Sequence, residues 1–448
     1  MGDLFDAVPS SVGGLTPSRC DVAVIGGGPA GATIAALLAE RGRDVVMIEK
    51  SRHPRFHIGE SLLPHNLPLL DRLGVGDEVR RIGLTKFGVE FVSPWHDKPV
   101  MFEFADAWDR NFPSAYQVHR SAFDEILFRN AVRRGAHALE NTRVTAVEFD
   151  DEGAEVTFRG GDGADRMLRT RFVVDASGRD TFLASRFGIK QKNPRHNSAA
   201  IYAHFTGAER LSGKAEGNIT VFWFEHGWFW FIPLSDGATS IGAVCWPYYM
   251  KSRSNSPEAF LFDTIALCPA LQQRLRNAKL ASPVSATGNY SYRAERNSGH
   301  CHLLLGDAFE FIDPVFSSGV YMAMHSAFVG ADVVDTCLSR PREADVALQA
   351  FDRSIRHGPK AFSWFIYRVT TPALRDLFMN PRNYFRMQEA LLSILAGDIF
   401  RNTPTGTRLV LFKLLYYLAS LRNPLRTVRA WQRRRQIIRD VPSGDAAA

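Results

Sequence analysis

The 448 residues hold only five cysteines (Cys20, Cys245, Cys268, Cys301 and Cys337), widely spaced, with no CxxC pair and no histidine-rich partner segment. An odd, scattered set supports neither a disulfide framework nor a zinc site, and reads as small buried residues in a reducing compartment. Long apolar runs are also missing. Residues 409–421 are apolar apart from Lys413 and Ser420, which is too short to cross a bilayer. No repeat of solenoid period is visible. The N-terminal MGDLFDAVPSSVGGLTPSR is acidic and turn-rich where a secretion signal is basic and then apolar. Residues 1–18 are therefore expected to form a flexible arm, and the cytoplasm is the expected compartment.

With 45% hydrophobic and 23% charged residues, the chain can bury a large core, which excludes disordered, collagen-like and membrane-bundle classes. The net charge of +7 is unevenly placed. Nine cations and no acid lie between Arg408 and Arg439, so the remaining chain is near neutral and no nucleic-acid partner is expected. That arm reads as a solvated tail on a packed helix, a peripheral membrane helix, or a cationic cover over a substrate entrance.

From Asp21 the sequence DVAVIGGGPAGATIAALLAERGRDVVMIEK reads as strand, glycine turn, alanine-rich helix and second strand. Gly26, Gly28 and Gly31 form GxGxxG. The first allows the tight turn, the second lets a pyrophosphate approach the backbone, and the third lets helix pack on strand. The positive helix terminus then faces the phosphates beside Ala30. Glu49, followed by Lys50, ends the second strand where an acid can accept hydrogen bonds from a ribose.

Further segments choose the cofactor. Tyr116–Asp124 (YQVHRSAFD), Phe172–Arg179 (FVVDASGR) and Leu305–Ala308 (LGDA) resemble, in order, the p-hydroxybenzoate hydroxylase superfamily. That resemblance implies FAD, with Gly306 and Asp307 at the ribityl and pyrophosphate and Arg120 near the flavin. Plainer roles stay open: Arg120 as a cation at a helix start, Asp175 as a turn residue, Asp307 as a helix N-cap.

Four more segments narrow the family: FHIGESLLP over residues 56–64, TKFGVEF over 85–91, WFWFIP over 228–233 and DPVFSSGV over 313–320. Together they are similar to the flavin-dependent halogenases, in the branch acting on phenols, pyrroles and carrier-protein-tethered substrates. The resemblance covers roughly residues 20 to 400. It implies that Lys86 is catalytic, receiving hypohalous acid generated through a flavin hydroperoxide and directing it onto an electron-rich ring. Burial among Leu84, Phe87 and Phe91 would lower the pKa of that ammonium. Trp228 and Trp230, sent to one face by strand alternation, would wall the substrate chamber with Phe316 and Ser317; ordinary sheet core is the plainer alternative. Ser61, Pro314 and Val320 would touch the flavin, and the backbone amides of Ser318 and Gly319 would hold chloride or bromide. Glu60 and Ser61 are equally readable as a capping pair for the helix that Pro64 opens. Phe316-Ser317 replaces the Glu-Ser of the tryptophan halogenases, which argues against free tryptophan as substrate. His57 and His325 read as packing or cofactor contacts.

The expected fold is α/β. A Rossmann-like FAD-binding domain (19–90, 115–184 and 280–340) is interleaved with an antiparallel β-rich substrate domain (91–114 and 185–279). A helical C-terminal region with a basic tail follows (341–448), with breaks at Pro341, Pro359, Pro372, Pro381 and Pro404. The expected activity is FADH2-dependent halogenation of a small aromatic substrate, free or on an acyl carrier protein, with FADH2 supplied by a separate flavin reductase. A single-component hydroxylase, a reductase of the same superfamily, and a retired flavin-binding scaffold are the alternatives.

Overall fold

The computed structural model describes residues 17–288, 291–401 and 403–439. The expected N-terminal arm lies almost wholly outside the described residues.

Strands buried on both faces of a parallel sheet must be apolar nearly throughout. Val45–Ile48 and the inner part of Arg19–Ile25 meet that condition. They belong to a sheet ordered Ser298–Gly299, His302–Leu304, Asp165–Asp175, Arg19–Ile25, Val45–Ile48, His137–Leu139. The four strands from His302–Leu304 to Val45–Ile48 run parallel, and Ile25 is level with both Asp175 and Ile48, as Leu304 is with Asp175. Their carboxyl ends therefore finish together, and Gly26, Ala176 and Leu305 leave the sheet at one edge, the place where open α/β sheets bind ligands. Pro29–Glu40 follows the first strand with proline in its first turn and ten residues buried. It packs beneath Gly319–Ser339. A Cβ at Gly330 of that helix would lie 3.3 Å from Ile34 and 3.2 Å from Leu305, so the glycine sets the close approach.

A second sheet is ordered Lys279–Leu280, Ala199–Thr206, Ala238–Cys245, Gly227–Pro233, Ile219–Phe224, Gly88–Val92, Val100–Glu103. All its neighbours are antiparallel except Ile219–Phe224 with Gly88–Val92. Side-chain alternation divides Gly227–Pro233 between two cores. Trp228, Trp230 and Ile232 join a cluster with Phe362, Phe365 and Leu391 from the C-terminal helices. Phe229 and Phe231 face Phe260, Leu261 and Leu271 on the other side.

The C-terminal region is helical, as expected, through Ala344–Ile366, Pro372–Met379, Met387–Ala396, Gly406–Arg422 and Pro424–Arg439. One expected break is absent. Pro359 sits inside Ala344–Ile366, although proline removes one backbone hydrogen bond. Burial of Phe351, Ile355, Phe362, Phe365 and Ile366 along one face outweighs that loss. Among the described residues, no helix is long and apolar enough to cross a membrane. Cys20, Cys245 and Cys268 are buried as expected, whereas Cys301 and Cys337 are only partly covered.

Candidate active site

A cleft of about 380 Å³ runs from the glycine turn to the second sheet. The three motif glycines meet different demands there. Gly26 has φ +98°, and a Cβ would come 2.5 Å from the Ala176 carbonyl; a Cβ at Gly31 would lie 1.8 Å from the Gly26 carbonyl. The protein's own packing requires both. At Gly28 the only neighbour within 4 Å among the described residues is the Arg55 guanidinium at 3.4 Å, and the residue lines the cleft. None of the described residues fills the place of its side chain, which fits the close approach of a pyrophosphate.

Glu49 has two tasks. Its Oε2 accepts from the Gly27 amide at 2.8 Å and its Oε1 from the Ser51 amide at 2.9 Å, while the carboxylate still borders the cleft. Lys50, beside it, pairs with Asp180 at the rim. Arg120 is 6% exposed and opens the helix Arg120–Arg133. It forks onto Asp124 at 2.8 and 3.1 Å and donates to the Ile58 carbonyl at 2.6 Å, so it is a fixed positive wall rather than a surface cation. Asp175 is structural, accepting from the Ser177 and Leu183 amides at 3.0 and 2.7 Å. Asp307 caps no helix. It lines the cleft within the turn Gly306–Ala308, and burial raises its carboxyl to about 6 against the pull of Arg179 and Arg120. Gly306 supports that turn at φ +53° without lining the cleft.

At the far wall, Trp228, Trp230 and Ile232 reach the cleft together with Pro314, Ser317, Gly319 and Val320. The Trp230 indole donates to Ser240 Oγ at 3.1 Å and occupies the space over Gly242, where a Cβ would lie 2.2 Å from the ring. Asp313 anchors the next loop: its carboxylate accepts from the Val315 amide at 3.1 Å, from Ser198 at 3.1 Å, and meets His196 Nε2 at 2.7 Å. Ser317 turns through φ +55°, and Ser318 then stands at the N-cap of the 21-residue helix Gly319–Ser339. The first amides of that helix have no intrahelical acceptor, and the helix dipole makes them attractive to an anion. The Phe316 ring turns away from the cleft and stacks on Phe362 at 6.1 Å.

Lys86 is 1% exposed and outside the cleft. It ends the strand Leu84–Lys86, paired with Ala115–Gln117, and a single bridge joins Gln117 to Ser61. This arrangement brings Lys86 Nζ within 2.6 Å of Ser61 Oγ, and Ser61 does line the cleft. The ammonium lies 5.5 Å from the centre of the Phe104 ring and has no carboxylate partner among the described residues. Burial alone pulls it down to about 7. Glu60 and Ser61 therefore do not cap the turn Pro64–Asn66, where Asn66 accepts from the Leu63 amide instead. Glu60 meets His204 Nε2 at 2.7 Å.

Arg55 is a cleft residue that carried no mark in the sequence. Arg55 lies between Glu49 (3.5 Å) and Asp124 (3.3 Å) over the glycine turn. His57 lines the cleft, and burial, reinforced by Arg120, lowers it to about 4, so the ring is neutral. Its Nδ1 lies 2.7 Å from the Ile58 carbonyl. His325 is elsewhere, stacked on Phe400 at 3.6 Å.

Comparison with known proteins agrees with this geometry. Residues 19–332 match the family model described as an FAD binding domain. A tryptophan 2-halogenase of Chondromyces crocatus is 33% identical over 345 residues, 75% of this chain, which spans 65% of that relative's length. A 1H-pyrrole-2-carbonyl-[peptidyl-carrier protein] chlorinase of Pseudomonas fluorescens is 28% identical over 427 residues, 90% of this chain and 93% of its own. The solved structure of the myxobacterial chondrochloren halogenase CndH superposes with a TM-score of 0.76 at 32% identity, covering 91% of this chain and 92% of that one. The glycine turn, the GD turn and the tryptophan wall thus sit in a chain that belongs to the flavin-dependent halogenases, oxidoreductases that bind FAD.

Proposed function

We propose that the chain chlorinates or brominates an electron-rich ring, a phenol or a pyrrole, using FADH2 from a separate flavin reductase in the cytoplasm. The observation that carries this reading is Lys86: a buried ammonium without a counter-ion among the described residues, one hydrogen bond behind the cleft wall. An uncompensated buried cation destabilises a fold, so its presence calls for a chemical reason. Bound reduced flavin, with O2 and halide, supplies an oxidised halogen as hypohalous acid.

The protein's residues do the rest. The amides of Ser318 and Gly319 hold the halide at the helix terminus. Trp228 and Trp230 keep the ring out of the flavin space, so only the small oxidant passes. Lys86 donates to the oxygen of hypohalous acid as the ring attacks the halogen. The carbon–halogen bond forms, the halogen–oxygen bond breaks, and the oxygen leaves as water carrying the lysine proton. The ring then loses its proton to restore aromaticity, and the amine is reprotonated. A group near pH 7 is suited to such transfer.

The names of two relatives point to different substrates, tryptophan and carrier-bound pyrrole. The test is product mass when reductase, FAD, NADH and halide are supplied with phenols, pyrroles and tryptophan, free or on a carrier where one applies. A one-halogen isotope pattern on a phenol or pyrrole is expected. Hydroxylated product with NADPH consumed by the protein alone would overturn the reading in favour of a single-component hydroxylase.

A further inference from the structure

A second concavity, about 420 Å³, lies between the helix Pro424–Arg439 and the far end of the second sheet. Six guanidinium groups border it: Arg195, Arg375, Arg426, Arg429, Arg433 and Arg434. Among the described residues only two find carboxylates, Arg426 on Asp376 at 2.9 Å and Arg433 on Glu225 at 3.1 Å. Arg375 is the unusual member. It is 8% exposed, stacked on Trp95 at 3.6 Å, and its buried Nε has no hydrogen-bond partner among the described residues. Burial, with Arg426 and Arg433 close by, pulls its guanidinium down to about 10. A side chain this costly to desolvate, among like charges, is expected to have a partner that arrives from outside.

We infer that this groove binds a phosphate ester. Several convergent guanidinium groups match the several charged oxygens of a phosphate ester, mono- or diester, better than they match a lone carboxylate. The groove is larger than a phosphate fills, and Trp95, Trp246 and Tyr367 offer aromatic surface for an attached organic chain.

Its position ties the site to the chemistry. Gly227 lines the groove, while Trp228 and Trp230 of the same strand line the flavin cleft. At roughly 3.3 Å per residue, Gly227 and Trp230 are only about 10 Å apart. His196, also in the groove wall, holds Asp313, the residue before the cleft-lining Pro314. A phosphate anchored here would tether a substrate about 10 Å, three residues along one strand, from the tryptophan wall. The delivery role rests on the proposed halogenation; the binding itself does not.

Calorimetric titration of the FAD-loaded protein tests it, with 4′-phosphopantetheine against pantetheine as the probe pair. Binding at least about tenfold tighter with the phosphate is expected, about 1.4 kcal/mol. Arg375→Met and the exposed Arg429→Gln should each remove most of that preference while leaving FAD absorbance unchanged. Equal binding of the two probes would overturn the proposal, as would a preference that survives Arg429→Gln and a folded Arg375→Met. Coenzyme A and a phosphopantetheinylated carrier domain, run in parallel, tell a free ester from a protein-bound one. Phosphate binding without any halogenated product would sink only the halogenase reading. Halogenation of a free ring without phosphate binding would sink only this one.

Discussion

The two walls of the flavin cleft are built on opposite terms. On the glycine-turn side, three of the charged groups are tied to other parts of the protein: Glu49 to two amides, Asp175 to two amides, Arg120 to Asp124 and a carbonyl. On the Ser61 side, Lys86 has one hydroxyl for a partner, and Gln117 next to it keeps a buried Oε1 with no donor. Polar groups satisfied within the fold position a cofactor and stabilise the structure. Groups left short of partners lower stability and are available to something that passes.

That contrast can be broken most severely at the turn. Gly31→Val should abolish folding, because its Cβ would overlap the Gly26 carbonyl; a loss above ~4 kcal/mol is expected. No soluble protein with native circular dichroism should be recovered. Gly28→Val, three residues earlier, should fold normally and lose FAD affinity by about a hundredfold, roughly 2.7 kcal/mol. Apo-protein melting temperature and flavin titration read the two halves of this expectation. If Gly28→Val unfolds like Gly31→Val, the assignment of separate duties to the glycines is wrong.

On the other wall, Lys86→Met should cut halogenation by about 10³-fold while flavin oxidation continues unchanged. The same variant should be more stable than the parent by about 2 kcal/mol near pH 6, where the buried ammonium is charged. Its folded pKa of about 7 lies below the ordinary lysine value of 10.5. Between these values the unfolded chain binds the extra proton, so the stability of the parent rises with pH, and the gain from Lys86→Met shrinks over that window. Melting curves of both proteins from pH 6 to pH 10 check the sign. A constant gap across that range would show that Lys86 does not titrate in it.

Ser61→Ala should have the smallest effect. Removing the ammonium's only acceptor among the described residues lowers its pKa further, moves the alkaline limb of halogenation to lower pH, because the donor must be protonated, and slows turnover about tenfold. FAD affinity should change far less, which separates Ser61 from the glycine-turn wall.

Much of the turn wall was legible because its parts lie close together in sequence: strand, GxGxxG, helix and Glu49 fall within residues 21–49. The strands carrying Trp228 and Trp230 were legible from alternation, to within a few residues of Gly227–Pro233. Lys86 was marked only by the resemblance of its segment to a family, since most lysines are solvated. What stayed hidden depends on contacts across long separations. Glu60 meets a histidine 144 residues away, and Arg55 acquires meaning only when Glu49 and Asp124 converge on it. Pro359 misled because local propensity was outweighed by five buried side chains on one helix face. The arginine groove was visible as a run of charge, but not as a concavity, because Arg195 and Arg375 come from other parts of the chain.

The Trp230 ring lying over Gly242 has a consequence for anyone who wishes to resize the chamber. The two positions, neighbours across strands, share one volume: the indole takes what the glycine gives up. Shrinking Trp230 to phenylalanine alone leaves a slot inside the wall, which its lining can fill only by shifting or which weakens packing. Adding a methyl at Gly242 alone drives the indole out of its place and off Ser240. Substrate range on this wall should therefore change in paired steps, with Trp230→Phe tolerated best beside Gly242→Ala, and with each single change acting as a defect that the other repairs.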